Sequence, residues 1–315
     1  MLADGGIVVA DRGYHGLRYF DPEGNYLRQV GREGDGPGEF RYLGRMARCG
    51  DSLHVQELLQ RRMMIFGMDG GFARSYPLGG PDARFNLPYK HACAPSGRII
   101  ANGWDTIMVR EYRRVRGTVP YWLASADGQV ETVLGSFPGS ERLAGPNGSG
   151  PHPLGKEPVL AAGRDRFYLG TADSFAITVF SASGDPLAPI VKQRVELATT
   201  PEDIARDRLM DTLGKEPDDK AWEIRNWGHV EYPPTVPAYT AMVVDRAEHL
   251  WVRTFPRSTV NLVRWVAFDP EGREVGSVDL PGTLEVFDIG PDWVLGIEVS
   301  LDDGAQRVVR YRLRR

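Results

Sequence analysis

The chain has 315 residues, 42% of them hydrophobic and 25% charged, with a formal net charge of -4 and a pI near 5.9. That balance builds a core without staples and lacks the basic excess of a nucleic-acid binder. No apolar run approaches the ~18 residues of a membrane span. The two cysteines, Cys49 and Cys93, make neither a disulfide framework nor a zinc module. The expectation is two small buried residues; a disulfide cannot be argued without a distance.

In chain order, Met1–Gly5 reads as the tail of a strand and Ile7–Asp11 as the next strand. A strand then runs into the turn Phe20-Asp21-Pro22-Glu23-Gly24. Related turns end at Gly70, Gly128, Gly184 and Gly272, each with glycine last, where a tight hairpin needs positive φ. The strand before each turn also recurs, as Leu53–Glu57, Ile99–Gly103, Phe167–Thr171, Leu250–Thr254 and Val294–Glu298, giving six copies with Ile7–Asp11. Repeats of this length with about four short strands predict an all-β, six-bladed β-propeller. The blades are expected at roughly 1–32, 41–78, 86–136, 156–197, 238–280 and 283–315 of one domain.

Between the fourth and fifth blades, residues 198–237 form an insertion. Thr200 is a good N-cap, Pro201 stands at N1 and acids follow, so about 200–226 is predicted helical. The last strand expected is Arg307–Leu313, the third of its blade. A closing strand is then missing, and the natural protein is expected to carry roughly 20–50 further residues before Met1.

Val9–Gly24 resembles an NHL repeat, with His15 and Leu17 where that family has its His and Leu, and Tyr14 in place of the usual Asn. Val30–Phe40 resembles the inter-blade connection of bacterial six-bladed propellers of unassigned function. The resemblance implies a blade-building role for His15. It also implies an export signal upstream, hence a periplasmic or secreted location.

Loop lengths separate two faces. Gly31–Phe40, Leu78–Pro88, residues 103–118, Pro138–Gly155 and the helical insertion are long and share the face called the top. Long loops on a rigid scaffold concentrate function. The candidate ligand-binding residues there are Trp222, Trp227, His229, Tyr232 and Arg253, since aromatic side chains stack on sugars or grip peptides. The arginines at 110, 113, 114 and 116 read as a solvated loop. Asp11, Glu57, Asp105, Asp173, Arg253 and Glu298 close the second strands and surround the expected channel mouth. An Asp in this position commonly bonds the next turn's backbone.

Two functions follow. The first is a non-enzymatic binding module for a peptide, glycan or protein, with no cofactor. The second is a divalent-metal-dependent hydrolase or lyase. Glu57, Asp105, Asp173 and Glu298 would then hold a cation such as Ca²⁺, as the resemblance to lactonases, paraoxonase-like esterases and amidating lyases implies. No nucleophile elbow, Walker loop, dinucleotide fingerprint or close histidine pair is present.

Overall fold

The computed structural model describes residues 1–81, 88–103, 109–145, 148–193, 195–213, 215–226, 230–257 and 262–313. The strands fall into seven antiparallel sheets. The first holds β1 (Ile7–Asp11), β2 (Gly16–Phe20) and β3 (Tyr26–Val30). The second holds β4 (Leu43–Cys49), β5 (Ser52–Glu57), β6 (Arg62–Gly67) and β7 (Phe72–Pro77). In the third, β8 (Pro88–Cys93) and β9 (Ile99–Gly103) precede a short strand β10 (Arg113–Val115) that leaves the sheet, and β11 (Thr118–Ala124) and β12 (Val130–Pro138) complete it.

A small sheet joins β10 to β13 (Arg142–Gly145) and β14 (Gly148–Pro151). The next is β15 (Val159–Ala162), β16 (Arg166–Gly170), β17 (Ala176–Ser181) and β18 (Pro186–Val191). Helices α1 (Pro201–Thr212) and α2 (Pro217–Asn226) follow. The last two sheets are β19 (Tyr239–Val244), β20 (Leu250–Thr254), β21 (Leu262–Phe268) and β22 (Glu274–Pro281), then β23 (Leu284–Ile289), β24 (Trp293–Val299) and β25 (Gln306–Arg312).

The chain divides into two compact units. One is residues 1–103, 120–135 and 162–165; the other is residues 104–119, 136–161 and 166–315. Within each, consecutive sheets pack face to face. In the first unit, Met63 and Ile65 of β6 enter a cluster with Tyr76, Ile99 and Trp122, while Met64 and Phe66 enter another with Leu17, Tyr19 and Val55. Alternate residues of one strand thus serve opposite cores, as period-two geometry requires. In the second unit, Val266 and Phe268 of β21 face Phe175 and Ile177, and Trp265 faces Leu284 and Ile289. Strands buried on both faces read as continuous apolar runs, as in Met-Met-Ile-Phe of β6, whereas the outermost β7 and β18 are largely exposed.

All five turn glycines adopt positive φ, from +76° at Gly128 to +93° at Gly184. Two expectations are corrected. Met1–Gly6 forms a turn instead of a strand end: Leu2 donates to the Gly6 carbonyl at 2.8 Å, Gly5 stands at φ +89° and Gly6 N–H donates to Asp4. Asp-Gly-Gly favours a turn over a ladder. The long loops at 103–118 and 138–155 are also not wholly irregular, because β10, β13 and β14 pair with one another.

Candidate functional site

Residues 198–237 leave the second unit and return through a closed base. Val236 N–H donates to Leu197 at 2.8 Å, Thr199 Oγ1 donates to Pro233 at 2.6 Å, and Ala198 bridges Thr235. Thr200 and Asp203 form a reciprocal capping box that starts α1. Asp203 also accepts from Arg257 Nη1 at 3.4 Å, and its Oδ1 is buried without a partner.

The polarity of α1 is inverted. Its one buried residue is charged: Asp203 is 2% exposed, while Leu209 is 58% exposed. Asp203, Arg206 and Asp207 share one face at i, i+3 and i+4 spacing. Burial, then neighbouring Asp211, pushes the Asp207 carboxyl up to about 6. Burial also lowers the Arg206 guanidinium. Tyr232 bonds Asp207 and receives Arg208 Nε at 3.3 Å, and burial raises its hydroxyl.

Arg253 closes β20. Its Nη2 donates to the Gly282 carbonyl at 2.7 Å and its Nη1 to Thr240 at 3.2 Å, whereas Nε is buried without a partner. Burial, and then the nearby Arg206, lower its guanidinium to about 10. Neither Arg253 nor Arg206 has a carboxylate within ion-pair distance among the described residues.

A second polar cluster flanks the base of the excursion. Buried Glu141 accepts from Arg114 at 3.2 Å and from Lys156 N–H at 2.8 Å, and Lys156 Nζ donates to Thr235 at 2.9 Å. Burial lowers the Lys156 ammonium against the opposing pull of Glu141. Arg116 spans Gly139, Thr171 and Asp173, the last at 2.6 Å. Arg114 and Arg116 are therefore internal ties, not the solvated loop expected.

The expected metal carboxylates that lie among the described residues are engaged by other partners. Glu57 is fully buried and spends its two oxygens on the backbone N–H groups of Tyr42 and Gln60. Asp173 pairs with Arg116, and Glu298 accepts from Tyr311 at 2.9 Å. Asp105 lies outside the described residues, as do Trp227 and His229. Trp222 belongs to α2. Asp11 caps its own turn through Gly13 and Tyr14, and His15 stands in that turn at φ +52°.

Sequence reading missed Arg206, Asp207, Glu141 and Lys156. For the first two the signal was present, since charged residues recur on one face of a helix with few apolar positions. Glu141 and Lys156 sit in segments with no period, where nothing local marks burial.

No family model and no curated protein matches the chain. Solved structures resemble it in fold. A member of the DUF4221 family from Bacteroides vulgatus is 10% identical over 98% of this chain and 94% of that one, at a TM-score of 0.50. Regucalcin from Agrobacterium tumefaciens, a calcium-binding protein, is 13% identical over 99% and 86%, at 0.46. Virginiamycin B lyase from Staphylococcus aureus is 10% identical over 100% and 83%, at 0.44. These neighbours are β-propeller-like, and the antiparallel sheets here have that fold. No helix among the described residues is long and apolar enough to cross a membrane.

Proposed function

We propose that the chain is a non-enzymatic binding module built on a six-bladed, NHL-like propeller, and that it holds an anionic peptide or glycan beneath the helical insertion. The observation that carries this reading is that two partly buried guanidiniums, Arg206 and Arg253, lie near one another and neither makes an ion pair among the described residues. Both lose solvation and Arg206 further lowers Arg253, while Asp207 and Asp203 offset the burial of Arg206 only in part and Glu285 that of Arg253. Such an arrangement is compensated when a carboxylate or sulfate arrives, because guanidinium recognises such groups with paired hydrogen bonds. The inverted polarity of α1 supports the same reading: a helix that only covered a core would bury its leucines. Tyr232 and Arg208 supply an adjoining aromatic and cationic edge. A disulfide between Cys49 and Cys93 supports residence in an oxidising compartment outside the cytoplasm. The metal-dependent reading has less support, since Glu57, Asp173 and Glu298 are each committed to other partners.

Thermal-shift and calorimetric screening of acidic peptides and uronate or sulfated glycans tests this. Arg206→Gln should leave the stability of the free protein within about 1 kcal/mol of the parent, because relief of Arg253 is offset by the lost attraction of Asp207 and Asp203. Ligand affinity should fall at least tenfold, the loss of one charge-assisted contact. Undiminished binding by both Arg206→Gln and Arg253→Gln would remove the site from this face. Binding that requires Ca²⁺ would restore the metal reading.

A further inference from the structure

Cys49 ends β4 and Cys93 ends β8, edge strands of two consecutive sheets in the first unit. Their sulfurs are bonded and their Cα atoms stand 5.5 Å apart. Beside them, on β5, lies His54, 2% exposed, with Nδ1 3.9 Å from Cys93 Sγ. The three ligand atoms lie within 4.8 Å of one another, the one such cluster of His, Cys, Asp or Glu among the described residues.

A staple between two strands needs no imidazole. Burying one is costly unless its nitrogens are bonded, and a disulfide sulfur at this distance is a weak acceptor. The same nitrogen is well placed as a ligand once the sulfurs are thiolates. Two residues along both strands, Gln56 Nε2 and His91 Nδ1 meet at 3.1 Å, which continues the polar lining behind the cluster.

We propose that Cys49, His54 and Cys93 form a redox-gated site for a thiophilic divalent ion, closed as a disulfide and opened by reduction to two thiolates and one imidazole. A thiol reductant attacks the partly exposed Cys93 sulfur. Two electrons cleave the S–S bond, the reductant leaves as its own disulfide, and its two protons pass to the cysteines. Binding Zn²⁺ then releases two protons. The two thiolate charges balance the ion, so no net charge is buried. Soft sulfur with one imidazole suits Zn²⁺, and a fourth tetrahedral position stays open for water. Because β4 and β8 are each paired on one side only, their ends can part by the distance two metal–sulfur bonds require.

The test reduces the folded full chain with a phosphine and titrates it anaerobically with Co²⁺, then Zn²⁺. Two reactive thiols and one Co²⁺ per chain are expected. An intense thiolate-to-cobalt band and tetrahedral visible bands should appear and vanish on adding Zn²⁺, while the oxidised chain takes no metal. His54→Gln should bind at least tenfold more weakly yet still form the disulfide. Cys49→Ser, read in the same way, covers the case in which His54→Gln does not fold. Cysteines that resist native reduction, a reduced chain without the cobalt bands, or variants that bind as tightly as the parent each overturn the proposal.

Discussion

Asp207 shows how one buried charge makes stability depend on pH. Its carboxyl rises from 3.8 to about 6 in the folded chain, so between those values the folded state holds more proton than the unfolded one. Stability from this group is therefore intact at pH 3.8 and lost as pH rises toward 6. The unscreened penalty is about 3 kcal/mol, and solvent screening of a partly exposed helix face reduces it to about 1. Asp207→Asn should accordingly raise the unfolding free energy by about 1 kcal/mol at pH 7.5 and by almost nothing at pH 4, as denaturant titrations at the two pH values would show. A flat difference across pH would mean that Asp207 is solvated. Asp11 makes the opposite case: an Asx turn to Gly13 and Tyr14 is settled within a few positions.

The disulfide, at the level of elements, ties the ends of β4 and β8. Gly50, the next residue, turns at φ +61° against the Pro95 carbonyl, so the two turns touch with no room for a side chain. The bridge closes 44 residues of chain, which chain entropy values at about 4 kcal/mol. The double variant Cys49→Ala, Cys93→Ala should therefore lower the unfolding free energy by about 3–4 kcal/mol without changing the secondary-structure spectrum. A loss below about 1 kcal/mol would mean that the packed sheets already hold these strands. The strands themselves were legible, because six recurring apolar segments and five turn glycines each carry a local signature. The pairing of β10, β13 and β14 was not, since three- and four-residue strands within Gly- and Arg-rich loops have no period to read.

For the molecule as a whole, two buried histidines far apart in sequence make stability sensitive to acid. His54 and His91 both fall from 6.5 to about 4, chiefly through burial. The folded state therefore binds fewer protons between those values. The stability they contribute is complete above pH 6.5 and lost as pH falls toward 4. Each is worth at most about 3 kcal/mol, so the melting temperature should drop steeply from pH 6.5 to 4, and His54→Leu should flatten the slope by about half. An unchanged slope would show that acid sensitivity resides in other groups.

What the sequence determined by itself is the all-β repeat: strands, turn glycines and a capped helical segment are encoded within windows of ten residues, where steric and hydrogen-bonding preferences act locally. What only the tertiary structure decided is which polar groups meet. The bond between Cys49 and Cys93, the approach of His54 to Cys93 and the nearness of Arg206 to Arg253 all join residues tens of positions apart. Their burial, and hence their charge and chemistry, follows from packing between sheets and leaves no trace in local periodicity.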